Sequence, residues 1–194
     1  MDSFYKAEEL LELGFKRIGS NCKISKRAVI YNADKIEIGN SVRIDDFCIL
    51  SGRLMFGDYI HIAVCTRLSG STAGITFKDF SGVSYNSTII ANSDDYSGEY
   101  LTNPMIPMKF RKINPAPVIL EKHSLIATHC VIMPGVTIGE GSAIGAMSLV
   151  LKDVEPWGIF VGIPVRKVKE RKRDIASLEK QFLSELKLGT VELP

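Results

Sequence analysis

The chain has 194 residues, of which 45% are hydrophobic and 24% are charged, and this composition excludes a wholly disordered protein. Lys and Arg number 24 against 22 Asp and Glu, so no strong electrostatic field favours nucleic acid or an acidic membrane surface as a partner. No apolar run reaches the roughly 18 residues of a membrane span, and the acidic N-terminal run lacks the hydrophobic core of a signal peptide. The four cysteines form no CxxC pair, which favours reduced thiols in a cytoplasmic protein.

Helical patterns occur only at the two ends of the chain. Residues 3–13 predict a short helix, with Gly14 just beyond its last turn. Residues 171–186 place apolar side chains at helical spacing among charges, which predicts an amphipathic helix packed on the domain or on a neighbouring subunit. The basic stretch RKVKERKR at its start is expected to be a solvated face.

Between these helices, aliphatic anchors recur at every sixth position. They are Ile18, Ile24 and Ile30, then, after a two-residue slip, Ile38, Ile44, Leu50, Phe56, Ile62 and Leu68, and finally Leu120, Ile126, Ile132, Ile138, Ile144 and Val150. A period of six fits neither an α-helix nor a simple alternating strand. Three short extended sides of six residues each would return the chain to its start, stacked about 4.8 Å above the previous coil. The pattern predicts an all-β fold, a parallel β-helix of hexapeptide repeats, with glycines providing the unusual dihedrals of the corners.

The repeat divides the chain into an N-terminal helix (1–17), a β-helix domain (18–170) and a C-terminal helix and tail (171–194). The ladder fades after Leu68, although Val83 and Ile89 keep the phase of one further coil. Residues 92–117 contain four prolines and no six-residue phase, and loops this long are usually functional or disordered. Their aromatic and apolar residues favour an ordered arm that packs on something.

Several motifs in the second half of the chain are typical of one family. The Ile-Gly hexapeptides, HCVIMPG from His129, KDV from Lys152 and GIP from Gly162 resemble the left-handed β-helix acyltransferases, which include galactoside and maltose acetyltransferases. The segments SVRIDDFCILSG and SDDYSGEYLTNPMIP are more similar to acyltransferases of nucleotide-linked amino-dideoxy sugars. The resemblance implies a left-handed coil, acetyl-CoA or another short acyl-CoA as co-substrate, and no metal. It also implies a homotrimer with each site between two subunits, and a place in the biosynthesis of lipopolysaccharide or another surface polysaccharide.

Acyl transfer from a thioester needs a general base, and a neutral imidazole suits that role. His129 lies three residues after anchor Ile126, where it can face the groove between subunits, and it occupies the position of the family's catalytic histidine. We expect it to be the base. The resemblance further implies that the backbone N–H of Met147, one coil later, stabilises the oxyanion. His123 and His61 are expected to be neighbouring, structural or exposed residues.

The donor site is expected in the last coils. By position in the family, the pantetheine slot and adenine contacts fall on Ala146, Ser148, Gly162, Ile163 and Pro164. Arg166, Lys167 and Lys169 are candidates for pairing with the phosphates of coenzyme A.

The acceptor site is expected in or beside the arm. Ser84, Asn86, Asp94, Asp95 and Glu99 are the candidates, because carboxylates and small polar groups suit sugar hydroxyls or a sugar ammonium.

Three alternatives stay open from the residues alone. A γ-type carbonic anhydrase shares the prism and binds zinc through three histidines, but His123 and His129 lie one side of the prism apart. A non-catalytic β-helix module is the second alternative. The third is O-acylation of a sugar hydroxyl by the same mechanism, instead of the favoured acylation of a nucleotide-linked amino sugar.

Overall fold

A computed structural model describes residues 3–193, which form a three-sided column of about seven stacked coils. Each side is a sheet of short parallel strands, and strands that follow one another in the chain lie on different sides. The predicted parallel β-helix is therefore confirmed. No helix among residues 3–193 is long and apolar enough to cross a membrane.

The three faces take their strands in a regular rotation. The first face contains Arg17–Ile18, Ile36–Ile38, Leu54–Phe56, Ile75–Phe77, Val118–Leu120 and Thr137–Ile138. The second face contains Lys23–Ile24, Arg43–Ile44, His61–Ile62, Gly82–Val83, Leu125–Ile126, Ala143–Ile144, Gly158–Gly162 and Val165–Glu170. The third face contains Val29–Ile30, Ile49–Ser51, Arg67–Ser69, Thr88–Ile90, Val131–Ile132 and Leu149–Val150.

The six-residue anchors fill the interior of the column. From Ile38 to Leu68 and from Leu120 to Val150, every anchor is at most 2% exposed. The ladder does not fade after Leu68, because a full coil follows it through Phe77, Val83 and Ile89. The six-residue period did not predict Phe77, because Phe77 lies nine positions after Leu68 and not six. Phe77 nevertheless pairs in register with Phe56, and the centroids of their stacked rings are 5.0 Å apart.

Non-glycine residues turn most of the corners, contrary to our expectation, although glycines have positive φ at Gly52, Gly135 and Gly141. The corner between the first and second faces (the first corner) has positive φ at Asn21, Ser41, Tyr59, Phe80, His123, Gly141 and Trp157, and the corner between the second and third faces (the second corner) has it at Phe47, Cys65, Asn86, His129 and Met147. The repeat glycines instead permit close stacking of the coils: a Cβ on Gly39 would lie 2.3 Å from the Gly57 carbonyl oxygen.

Two helices flank the column. Helix α1 (Ala7–Glu12) lies within the predicted range, and its Leu10 is buried. Helix α2 (Ile175–Leu188) begins four residues later than predicted and is closed by Gly189 at φ +68. Much of the basic stretch before α2 is a strand, Val165–Glu170, which pairs antiparallel with Gly158–Gly162.

Helix α2 packs on the first corner through an aromatic and ionic cluster. The Phe182 ring meets the Tyr59 ring edge-on at 5.3 Å. Glu179 Oε2 lies 2.8 Å from His123 Nε2, and Glu179 Oε1 accepts a hydrogen bond from Lys122 Nζ at 2.7 Å. His123 is thus a buried structural residue that fastens α2 to the column.

The Glu179 cluster should make stability depend on pH. Burial opposes ionisation of Glu179, but the hydrogen bonds from Lys122 and His123 outweigh it and lower the pKa below the ordinary 4.5. A lowered carboxyl pKa stabilises the fold above the unfolded-state pKa, and this stabilisation is lost as the pH falls through the folded-state value. Glu179→Gln should therefore lower the free energy of unfolding by about 1–3 kcal/mol at pH 7 in urea titrations, because charged hydrogen bonds are lost.

The control is Glu185→Gln on the same helix, where the carboxylate accepts an exposed hydrogen bond from Gln181. This variant should stay close to wild type throughout. The difference between wild type and Glu179→Gln should shrink as the pH falls below 4.5. A difference of unchanged size at pH 3 would contradict the ionic origin of the effect.

Candidate active site

The second corner places predicted catalytic and acceptor residues in successive coils. Asn86, His129 and Met147 all have φ between +56° and +59°. Their N–H groups donate to carbonyl oxygens of the coil before, that of His129 to Tyr85 at 2.9 Å. Because coils repeat about every 4.8 Å, the three residues form one row along the column.

Two hydroxyls, that of the buried Ser87 and that of the partly exposed Thr128, hold the backbone beside His129. Ser87 Oγ donates to the Ala127 carbonyl at 2.9 Å and accepts from the Cys130 N–H at 3.1 Å. Thr128 Oγ1 donates to the Tyr85 carbonyl at 2.9 Å. The His129 side chain is exposed and makes no hydrogen bond or ion pair among residues 3–193. The backbone is thus fixed while both imidazole nitrogens stay available.

Sequence reasoning missed Ser87 and Thr128 as supports of the site. A signal for Ser87 exists, because it is a small, buried residue two positions before Ile89, which keeps the six-residue phase.

The backbone at Met147 is committed to the stacking of the coils. Its N–H donates to the Thr128 carbonyl at 3.0 Å, so an oxyanion there would share or replace that bond. The neighbouring Ala146 N–H has no acceptor within the described part of the chain and is a second candidate. The oxyanion role of Met147 stays a prediction.

The predicted donor residues meet where the last hairpin crosses the coils. The Gly162 N–H donates to the buried Ser148 Oγ at 3.1 Å, which joins two of the predicted contacts. Gly162 has φ +108, and the peptide bond from Ile163 to Pro164 is cis. Beside this turn is a pocket of about 350 Å³, lined by Leu151, Lys152, Asp153, Val154, Phe160, Pro164, Val165, Arg166 and Lys167.

The three predicted phosphate-binding cations differ in their partners. Lys167 Nζ lies 2.5 Å from the carboxylates of both Glu155 and Glu170, and these hydrogen bonds raise the pKa of Lys167. Arg166 and Lys169 are exposed and have no ion pair among residues 3–193. Arg166 and Lys169 are therefore the cations available to an anionic ligand.

The predicted acceptor residues fall into two separate groups. Ser84 and Asn86 lie at or next to the second corner, with His129. Asp94, Asp95 and Glu99 lie on the arm, which leaves the column after the strand Thr88–Ile90, at the corner between the third and first faces. Within one chain the two groups thus belong to different corners of the column.

The adjacent carboxylates of the arm also differ. Asp95 is buried, and its Oδ2 accepts hydrogen bonds from the Ser97 hydroxyl and N–H at 2.5 and 3.0 Å. Within residues 3–193 the Asp94 carboxylate accepts only a 3.4 Å hydrogen bond from Arg111 Nη2, and Glu99 is exposed. Asp94 and Glu99 are therefore the arm carboxylates open to a ligand.

The three histidines lie at three different places. His61 Nε2 is 2.7 Å from Asp45 Oδ2 on the second face, His123 pairs with Glu179 at the first corner, and His129 is at the second corner. Among residues 3–193 no group of three His, Cys, Asp or Glu side chains is arranged to hold a metal ion. This geometry does not support the carbonic anhydrase alternative.

A hexapeptide β-helix with an exposed histidine at one corner defines the class of hexapeptide-repeat acyltransferases. The chain is 40% identical over 177 residues to dTDP-4-amino-4,6-dideoxy-D-glucose acyltransferase of Escherichia coli. This alignment covers 90% of our chain and 92% of the E. coli enzyme. Galactoside O-acetyltransferase of E. coli is 27% identical over 172 residues, covering 85% of this chain and 68% of that one. No family model matches the chain.

The solved structures agree with these relatives. AntD, an N-acyltransferase from Bacillus cereus solved with dTDP and 3-hydroxybutyryl-CoA, is 49% identical, with a TM-score of 0.93 over 96% of this chain and all of that one. A variant of AntD, in complex with dTDP-4-amino-4,6-dideoxyglucose and coenzyme A, has a TM-score of 0.92 over 95% and 99% of the two chains. The chain belongs to the family of left-handed β-helix acyltransferases that contains these two amino-sugar enzymes.

Proposed function

We propose that the protein transfers an acetyl or other short acyl group from an acyl-CoA to the amino group of a dTDP-linked amino-dideoxy sugar. The observation that carries the proposal is the row of Asn86, His129 and Met147, which sets an unpaired imidazole in an exposed corner between polar and backbone groups. The ligands with which AntD and its variant were solved include a dTDP-linked amino sugar and an acyl-CoA, and both fit this arrangement.

The chemistry requires one base and one oxyanion site. The neutral amine attacks the thioester carbon, and His129 accepts a proton from the attacking nitrogen. Backbone N–H groups at Ala146 and Met147 stabilise the oxyanion that forms. The C–S bond then breaks, and the proton passes from the imidazole to the coenzyme A thiolate. The products are an amide and free coenzyme A.

The donor and acceptor approach the row from opposite ends. Ala146, Ser148 and the turn of Gly162, Ile163 and Pro164 hold pantetheine and adenine toward the C-terminal coils. Ser84 and Asn86 hold the sugar toward the N-terminal coils, together with the arm residues Asp94, Asp95 and Glu99. AntD has been solved as variants at its Ser84 and Asp94, and this chain has the same residue types at those numbers.

We further propose a cytoplasmic homotrimer that supplies surface-polysaccharide biosynthesis. The arm leaves from a different corner than His129, so an arm from a neighbouring copy can complete the site. Exposed apolar side chains on the arm support this, and Tyr96 and Met105 are 86% and 88% exposed. The four cysteines are unpaired, as expected of a reducing compartment.

A substrate panel tests the function directly. The protein is incubated with acetyl-CoA or 3-hydroxybutyryl-CoA and either dTDP-4-amino-4,6-dideoxyglucose or the dTDP sugar that has a hydroxyl at the same carbon. Release of the coenzyme A thiol and the mass of the product are measured. We expect turnover with the amine and less than a hundredth of it with the hydroxyl. Preferential turnover of the hydroxyl sugar would instead establish O-acylation, and no turnover of either sugar would contradict the proposal.

His129→Asn should lower kcat by about 10²- to 10⁴-fold, because general-base catalysis is lost. The KM values of both substrates should stay within about threefold, since the corner backbone is held by its own hydrogen bonds. The matched control is His61→Gln, on the second face beside Asp45, which should keep wild-type kcat. Retention of a tenth or more of wild-type kcat by His129→Asn would rule out the general-base role.

A predicted phosphate-binding cation that makes no ion pair within the protein should have the larger effect on the KM for acetyl-CoA when it is replaced. Arg166→Gln should raise the KM for acetyl-CoA by about 3- to 20-fold, because a charge-assisted contact with phosphate is lost. Lys167→Gln should have a smaller effect, since two glutamates already neutralise that ammonium. Lys180→Gln on α2 is the charge-matched control. A larger effect at Lys167 than at Arg166 would reverse the assignment.

A further inference from the structure

The base of the arm is a short antiparallel hairpin that places Arg111 beside Asp94. Strands Asn92–Asp94 and Ile113–Pro115 pair with Asp94 opposite Ile113. The hairpin continues through a hydrogen bond from the Asp95 N–H to the Lys112 carbonyl at 3.1 Å. The pairing thus brings together two charged side chains that are 17 residues apart in the chain.

Arg111 is buried without a full set of hydrogen-bond partners. Its side chain is 10% exposed, and its Nε is buried with no partner in the described part of the chain. Nη1 reaches only the sulfur of Met108 at 3.9 Å, and Nη2 donates to Asp94 Oδ1 at 3.4 Å. A guanidinium has five donors, and buried donors are normally paired. An unpaired Nε beside a long hydrogen bond to Asp94 indicates an ion pair that is not fully closed.

Asp94 is the partner that can close this pair. It provides the only carboxylate within 4.0 Å of the Arg111 guanidinium among residues 3–193, and its side chain is 36% exposed. Its Oδ2 accepts no hydrogen bond from these residues. A side-on, two-bond contact of this carboxylate with Nε and Nη2 would have the geometry that makes arginine–carboxylate pairs strong.

We propose that Arg111 is a positioning residue, which holds Asp94 oriented so that this carboxylate binds the protonated amino group of the acceptor. The inference rests on the proposed function and adds the residues that make the acceptor site select an amine. Arg111 takes one edge of the carboxylate through Nε and Nη2, and the remaining lone pairs face the ligand. The ammonium must still release one proton before attack, and the role proposed for Asp94 is to select and place the amine.

This arrangement would favour an amine over a hydroxyl. A carboxylate gains a charge-assisted hydrogen bond from an ammonium but only a neutral one from a hydroxyl. A carboxylate on an arm keeps its direction only if a second group fixes it. Arg111 is such a group, since it is itself buried at the base of the same hairpin.

The test compares two arm cations in steady-state kinetics with dTDP-4-amino-4,6-dideoxyglucose and acetyl-CoA. Arg111→Met should raise the KM for the amino sugar about 10- to 100-fold, with kcat and the KM for acetyl-CoA within threefold of wild type, because charged hydrogen bonds are lost at one substrate only. The control is Lys112→Met, which removes the same charge from the adjacent residue, whose ammonium lies over the Tyr100 ring. It should leave both KM values within twofold.

Two further variants separate positioning from a general structural role. Arg111→Lys keeps the charge without the fork and should recover part of the acceptor affinity. Asp94→Asn should raise the acceptor KM by itself, and adding Arg111→Met to Asp94→Asn should change it less than twofold further, because the arginine acts through the carboxylate. Thermal unfolding of each variant checks that it is folded.

Several outcomes overturn the inference while leaving the proposed function intact. These are an acceptor KM within twofold of wild type in Arg111→Met, multiplicative effects of Arg111→Met and Asp94→Asn, or an equal rise in the KM of both substrates. If Arg111→Met does not fold, Arg111→Lys tests the inference instead. A wild-type acceptor KM in Arg111→Lys would show that the two-bond contact of the guanidinium with Asp94 is not needed. Absence of amino-sugar turnover in the wild-type protein would instead contradict the proposed function itself.

Discussion

The whole structure depends on the hydrogen-bonded stacking of one coil on the next. Aliphatic anchors at most 2% exposed drive the collapse of the column, and the N–H groups of corner residues donate to the carbonyls of the coil before. Any corner residue is thereby placed one coil from its counterpart. Ser87 and Cys130 are 43 residues apart in the chain but are hydrogen-bonded neighbours, because the whole arm is inserted at another corner without disturbing the stack.

This constraint explains what the sequence could predict and what it could not. A period of six determines which side chains face inward, so the core followed from the anchors. The backbone at the corners did not follow, because residues such as His129 and Cys65 adopt positive φ where their N–H groups donate to carbonyls of the coil before, a contact that the spacing does not reveal. Phe77 was missed since an insertion breaks the count while leaving the register intact.

The candidate site shows the same division between pattern and context. Spacing from an anchor placed His129 at a corner. The sequence, however, makes Lys167 and Arg166 equally good candidates for binding the phosphates of coenzyme A. Only the fold reveals that two glutamates surround Lys167. Likewise, the sequence gives no reason to distinguish Asp94 from Asp95. The structure does, because the Asp95 carboxylate already accepts two hydrogen bonds from Ser97. Arg111 carried no signal at all, since its importance depends on a hairpin that no periodicity marks.

The separation of the arm from the His129 corner has a consequence for how such a site can be assembled. A column is rigid along its length, so its own corner presents His129 in a fixed position beside Asn86 and Met147. The arm is held by its own hairpin, by the Asp94–Arg111 contact and by a bridge between Leu101 and Arg111. Its apolar residues, such as Met105, remain exposed on a single chain, and burying them against another copy would stabilise the arm by the hydrophobic effect. The proposed trimer would therefore stabilise the proposed acceptor-binding arm and bring it to His129 of a neighbouring copy, because the arm's own chain holds its histidine at a different corner.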